Sequence, residues 1–234
     1  MDNISVVIPT MKGREALLKR LVDSIPLSCE VIVVDDPDLL LAAKRNKGAS
    51  QAHGTFLLFA DDDNVLGPEA IRYARDLARL TDVGVVGFMA CYDDQPDKIA
   101  DGGSIRSLLT GFTRGVHTNA RYDAIAPVAY PVDEVANVFL MHRDVYDELR
   151  GFDEDNFPID LDEADFCRRA TRAGYQILMC PQARCFHRSQ TYSPIPDFRR
   201  SLNAYMLARN LVHLQRKHLT ALSYGVFCLV FLPV

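Results

Sequence analysis

At 234 residues the chain is long enough to bury a core of its own, and 48% hydrophobic with 24% charged residues is a globular balance that excludes disordered, repetitive or collagen-like chains. The six cysteines, Cys29, Cys91, Cys167, Cys180, Cys185 and Cys228, form no C-x-x-C pair and several lie in apolar stretches; with no basic-then-apolar segment at the N-terminus, they read as buried thiols in a reducing cytoplasm rather than as a zinc site. The net charge of −5 hides a basic C-terminal end, but that face is confined and not interleaved with aromatics, which argues against nucleic-acid binding.

The first element is the β-branched run Ile4 to Ile8, ended by Pro9. Ala16, Leu17, Leu18, Leu21, Val22 and Ile25 then recur at helical spacing. Glu30 to Val34 is a second strand, running straight into Asp35-Asp36, and a second helical stretch from about Leu39 to His53 leads to a third strand, Phe56 to Ala60. This is β-α-β-α-β. Right-handed crossovers place the carboxyl ends of the three strands along one edge, so Pro9-Thr10, Asp35-Asp36 and Asp61-Asp62-Asp63 face a common crevice where open α/β sheets bind ligands.

Three consecutive carboxylates after an apolar strand serve no stability purpose unless a cation or a string of donors sits among them. Mg2+ and Mn2+ favour such oxygens and share their shells with substrate phosphates. The alternative is a solvated acidic turn before a helix starting near Pro68, with Asn64 or Asp63 capping it.

Thr81 to Met89 holds a further strand, whereas Ala90 to Tyr130 mixes glycines and scattered charges without a clear period. Val135 to Met141 reads as a strand and Arg143 to Leu149 as a short helix. The acids Asp160, Asp162, Glu163 and Asp165 open another helix; for Asp160 and Asp165, capping and the helix dipole are sufficient reasons. Gln176 to Phe186 is strand-like and ends at His187.

The segments SVVIPTMKGREALLKRLVDSI, EVIVVDDPD, KRNKGASQAHGTFLLFADDDN and GFDEDNFPIDLDEADFCRRATRAGYQILMCPQARCFH resemble, in order, successive blocks of the family 2 inverting glycosyltransferases of GT-A fold. The resemblance spans about residues 4 to 217. It implies an α/β chain: a single GT-A domain with a Rossmann-like, mostly parallel central sheet flanked by helices, and a C-terminal helical tail. A nucleotide-sugar half would run to about residue 90, an acceptor half over about 91–190, a basic helix over 197–217 and an apolar tail over 218–234.

By the same resemblance, Pro9 and Thr10 line the base of a nucleotide diphosphate sugar, Asp35 meets its polar edge, Arg14 or Arg45 lies near the donor, and Asp62 contacts ribose or sugar. Asp61 and Asp63, with His187, hold Mn2+ or Mg2+. Glu163 takes the place of the general base, with Asp162 as the fallback; the family often has glutamate before aspartate and the order here is reversed. An acid-rich pocket is expected to raise the base's pKa toward neutrality. Ala136-Asn137 departs from the pattern, since a glycine-containing turn is commoner there. The acceptor, a glycan or a lipid-linked sugar, is not specified.

Three rivals are weaker. An aspartyl-phosphate phosphatase carries its D-x-D on the first strand, and a sugar-phosphate nucleotidyltransferase needs a Gly- and Arg-rich loop that PTMKGREALL lacks. A non-catalytic nucleotide-sugar-binding subunit would have lost one acidic cluster, and both are present.

From Arg184 onward there are seven Lys/Arg (Arg184, Arg188, Arg199, Arg200, Arg209, Arg216, Lys217) against one acid, Asp197, followed by an uncharged stretch from Leu219 to Val234. A spanning helix needs ~20 apolar residues, so this stretch is short for a transmembrane segment. Basic residues beside an apolar tail suit peripheral contact with an anionic membrane, here the inner face; a helix packed on the domain is the alternative.

Overall fold

The structure is a computed structural model that describes residues 3–188 and 197–231; the side chains of residues 197–203, Arg199 and Arg200 among them, and of Phe231 lie outside that description. The first half runs β1 (Ile4–Pro9), α1 (Glu15–Ser24), β2 (Glu30–Val34), α2 (Leu41–Gln51), β3 (Phe56–Ala60), β4 (Asn64–Leu66), α3 (Ala70–Ala78) and β5 (Val83–Tyr92). Three short strands follow, β6 (Ile99–Asp101), β7 (Ser104–Arg106) and β8 (Thr113–Gly115), then β9 (Tyr130–Pro131), β10 (Val138–His142), α4 (Arg143–Glu148), α5 (Asp162–Arg172) and β11 (Gln176–His187). The chain closes with α6 (Asp197–His218), α7 (Ala221–Val226) and a π-helical turn, Phe227–Phe231.

The main sheet is ordered β2-β1-β3-β10-β5-β11-β4. Strands β2, β1, β3, β5 and β11 run in one direction, while β10 lies antiparallel between β3 and β5. Strands β1, β3 and β5 read as unbroken apolar runs because both faces are covered, whereas the edge strand β2 alternates and leaves Val31 and Val33 exposed. Ile4, Val6 and Ile8 of β1 and Phe56 and Leu58 of β3 pack with Leu21, Ile71 and Ala74 from α1 and α3. The alternate residues Val7, Leu57 and Phe59 pack with Ala42, Ala49, Tyr146 and Phe166 from α2, α4 and α5. Gly48 lets α2 sit close on this second face, since a Cβ there would lie 2.3 Å from Val7 Cγ1. That close approach carries Arg45, one turn earlier, under the edge of the sheet.

The register aligns the strand ends. Pro9 pairs with Val34 and Val7 with Phe59, so Thr10, Asp35 and Asp61 all emerge at the same edge. On the other side of β3, Val138 opposes Ala60, which sets Asn137 over the acidic turn.

Several local expectations change. Asn64 does not cap the following helix: it begins β4, and α3 starts after Glu69 with no side-chain cap. The strand expected from Val135 begins at Val138, because Asn137 adopts a left-handed φ of 61° and its carbonyl accepts the Asp61 amide at 3.0 Å. Asparagine is among the residues that best tolerate that conformation after glycine, which accounts for the departure at Ala136-Asn137. Asp165 is no cap either. It lies in the first turn of α5, fully buried, and meets Arg169 of its own helix and Lys217 and His218 of α6.

Candidate active site

The acidic run forms a tight turn between β3 and β4, with the Asn64 amide donating to the Asp61 carbonyl at 3.1 Å. Asp62 points back to β1, accepting the Thr10 hydroxyl at 2.6 Å, and the Thr10 carbonyl accepts the buried Lys44 ammonium at 2.6 Å. Arg14, at the entrance of α1, donates through Nε to both oxygens of Asp62 at 2.8 and 2.9 Å and through Nη2 to Asp63 at 2.8 Å. Pro9 is buried in the sheet, whereas Asp35 is exposed at the end of β2.

Arg45 is enclosed completely. Its Nη2 reaches Asp61 at 2.9 Å, and its Nη1 reaches Asp162 at 2.6 Å and Glu163 at 2.7 Å. The guanidinium carbon lies 5.4 Å from the centre of the Phe139 ring and 5.7 Å from that of Phe152, so aromatic rings take up part of its cost of burial. The residue placed near the donor by resemblance therefore sits beneath the carboxylates, joining the two acidic clusters from below.

The turn that delivers Asp162 and Glu163 is strained. Asp160 and Leu161 are both left-handed, at φ of 62° and 64°, and each such non-glycine residue costs on the order of 1–3 kcal/mol. Buried Asn210 on α6 holds them, donating from Nδ2 to the carbonyls of Ile159 at 2.5 Å and Asp160 at 2.9 Å. From the other side, β11 pairs with β4 so that His187 opposes Asn64, bringing its Nε2 to 3.5 Å from Asp63 Oδ1.

The electrostatics separate the carboxyls. Burial and the neighbouring charges of Glu163 and Asp63 outweigh Arg45 and push Asp61 up to about 6, although 28% of its side chain still meets solvent. Asp162 is raised well above the usual range by burial beside Glu163. Burial acts on Glu163 in the same direction, but the Arg45 guanidinium and Asp162 outweigh it and hold Glu163 below its ordinary value. This corrects the expectation of a raised pKa at Glu163: the proton of the pair belongs on Asp162, the more enclosed of the two.

One carboxyl in the crevice escaped sequence reasoning. Asp101, at the end of β6, accepts the Gly103 amide at 2.9 Å and Asn137 Nδ2 at 3.4 Å. Burial raises its pKa, opposed by the Gly103 amide and the charge of nearby His187 and reinforced by Glu163. A three-residue strand carries no readable period; the only signal was an acid ahead of the Gly102-Gly103 pair.

The donor set suits a hard divalent cation. Asp61, Asp62, Asp63, Asp162 and Glu163 share two arginines, so carboxyl groups outnumber the cations that face them. Asp63 and His187 already face one another, while Asp61 is turned to Arg45; among the described residues no three such side chains already converge on one point.

A profile described as "Glycosyltransferase like family 2" matches residues 3–206. A search of curated proteins finds no match. Among solved structures, the chain superposes on GalNAc-T7 with UDP, GalNAc and Mn2+ at a TM-score of 0.70 and 14% identity, covering 92% of this chain and 47% of that one. It is similar to the mannosyltransferase PcManGT from Pyrobaculum calidifontis in complex with GDP-Man and Mn2+, at 0.63 and 13%, covering 96% and 67%. S. aureus TarS 1-349 follows the same course at 0.57 and 14%, covering 97% and 70%. The chain thus spans about half the length of GalNAc-T7.

Proposed function

The chain belongs to the glycosyltransferase-like family 2, with the GT-A fold, and from that premise we propose that it transfers a sugar, with inversion, from a nucleotide diphosphate sugar to an acceptor hydroxyl. The observation that carries this reading is the meeting of two acidic clusters across Arg45, with His187 beside Asp63. The Mn2+ and the nucleotides bound by GalNAc-T7 and PcManGT support it.

The donor would lie across the strand ends, over Pro9, Thr10 and Asp35, with Asp62 toward ribose or sugar. Arg14 is bound to Asp62 and Asp63 and would turn its guanidinium to the diphosphate when these carboxylates are engaged. Asp61, Asp63 and His187 would hold a divalent cation, Mn2+ or Mg2+, which when bound neutralises charge on the diphosphate leaving group. Glu163 starts in the ionised state a base requires, held there by Arg45, and takes the acceptor's hydroxyl proton at its carboxylate as the hydroxyl attacks the anomeric carbon. Asp162, protonated, does not compete for that proton. Inversion in one displacement needs no protein nucleophile.

The test is thermal shift with a panel of nucleotide sugars, with and without Mn2+, followed by product analysis with the donor that binds. Stabilisation by one donor and release of its nucleoside diphosphate is the expected result. Binding without turnover on any acceptor would make the chain a non-catalytic nucleotide-sugar-binding subunit, and no binding at all would refute both readings.

A further inference from the structure

The C-terminal helices carry two surfaces of opposite character. His218 closes α6 in a buried position, its ring Nε2 2.8 Å from Asp165 Oδ1, and its carbonyl accepts Arg172 Nη2. Both partners belong to α5, the helix that opens with Asp162 and Glu163. Thr220 then caps α7, its hydroxyl accepting the Ser223 amide at 3.2 Å. Beyond that cap Phe227 turns inward at 2% exposure, whereas Leu222 (82%), Val226 (39%), Leu229 (81%) and Val230 (55%) recur at helical spacing on the outer side.

Beyond Asp197 the sequence carries charge of one sign. After Asp197 the sequence has no acidic residue and five Lys/Arg. Lys217 is turned inward to Asp153 and Asp165, but Arg209 binds only neutral oxygens of Asn156 and Asn210 among its described hydrogen bonds. Arg216 is exposed in the last turn of α6, six positions before Leu222. Among the described residues no helix is long and apolar enough to cross a membrane. An exposed apolar stripe that follows directly on the exposed cation Arg216 is the arrangement of a segment lying in a lipid interface.

We propose that the Leu222, Val226, Leu229 and Val230 face beds into an anionic lipid surface, with Arg216 at the headgroups. Because His218 is bound to α5 three residues before Ala221, the docked tail is mounted on the helix that carries Glu163. On the glycosyl-transfer reading, on which this clause alone rests, Glu163 is thereby presented to an acceptor held in the same surface.

Sedimentation of the full chain with phosphatidylcholine vesicles, with and without phosphatidylglycerol, tests docking without reference to turnover. The expected result is pelleting with the anionic vesicles, partial release by salt, and about tenfold weaker binding of the Leu222→Glu/Leu229→Glu variant. Both leucines are more than four-fifths exposed, so the variant should keep the parent's urea midpoint. Arg216→Glu should also weaken binding. A parent chain that ignores anionic vesicles, or a double variant that binds them as well as the parent, overturns the proposal. So does a dimer in light scattering that the double variant dissolves, since a second copy then covers this face.

Discussion

Replacing Arg45 by methionine removes the one cation shared by Asp61, Asp162 and Glu163 while nearly filling its volume. Deleting one partner of a buried ion pair costs about 3–5 kcal/mol. Arg45 is wholly buried and contacts the three carboxylates at 2.9, 2.6 and 2.7 Å, which would place the loss high in that range. Two features lower it. Asp162 is already raised and sheds charge by keeping a proton, Asp61 at about 6 can take one up once the guanidinium is gone, and the guanidinium leaves its own Nε unpaired in the interior. A loss of about 3 kcal/mol at pH 7 is therefore expected. Its pH dependence has a definite sign. Without the guanidinium the folded-state pKa of Glu163 moves from below its ordinary value to above it, so the folded variant binds more protons than its unfolded chain between the ordinary and the raised values. Stability then falls as pH rises through that window, and the deficit against the parent should be full at pH 7 and smaller at pH 5. Urea unfolding of both proteins at the two pH values measures it. Equal stability at pH 7, or a deficit that does not shrink at pH 5, would refute the placement of Arg45 as the shared counter-charge.

Glu163→Gln should keep donor binding while turnover falls by a factor on the order of 10² to 10⁴; a loss confined to Asp162→Asn would move the base to that neighbour. Asp63→Ala, which removes the carboxylate facing His187, should abolish the gain in nucleoside diphosphate affinity that Mn2+ brings in calorimetry, and an unchanged gain in a folded variant would sink the metal assignment. Asp165, lowered to about 2 by His218, Lys217 and Arg169 against the opposing effect of burial, contributes stability that is present above its unfolded pKa and lost as pH falls through about 2. That amounts to about 2.5 kcal/mol, so Asp165→Asn should lower the urea midpoint at pH 7 and flatten the parent's loss of stability below pH 4. A variant with the parent's acid dependence would show that the α5–α6 contact is not held by this carboxylate.

The sheet was largely legible because burial on both faces leaves a local mark, unbroken apolar runs at Ile4, Phe56 and Val83, and because the half-exposed run at Glu30 and the run at Phe56 both stop in acids. The right-handed crossover then requires Asp35 and Asp61 to Asp63 to share an edge, whereas Arg14, Arg45, Asp162, Glu163 and His187 were named only through the family resemblance. Short elements were not legible. β6 and β9 are too brief to show a period and form because β5 and β11 offer backbone to pair with, which is how Asp101 comes into the crevice unannounced. The Asn64 cap failed for a related reason, since pairing with β11 outcompetes a local cap.

What the sequence by itself determined is the composition of the site: three acids after β3, two at the head of α5, a histidine at the end of β11 and arginines near α1 and α2. Tertiary structure alone decided how they share charge. Arg45 meets Asp162 across 117 positions of sequence, and only that contact, with the deeper burial of Asp162, determines which carboxyl keeps the proton and which stays ionised. The same holds for the basic helix, where Asn210 and His218 are ordinary polar residues until α6 packs on α5, so that Asn210 holds the turn before Asp162 and His218 meets Asp165. Apolar patterning is a property of neighbours in the chain, whereas a pKa depends on distance and solvent, which the fold alone provides.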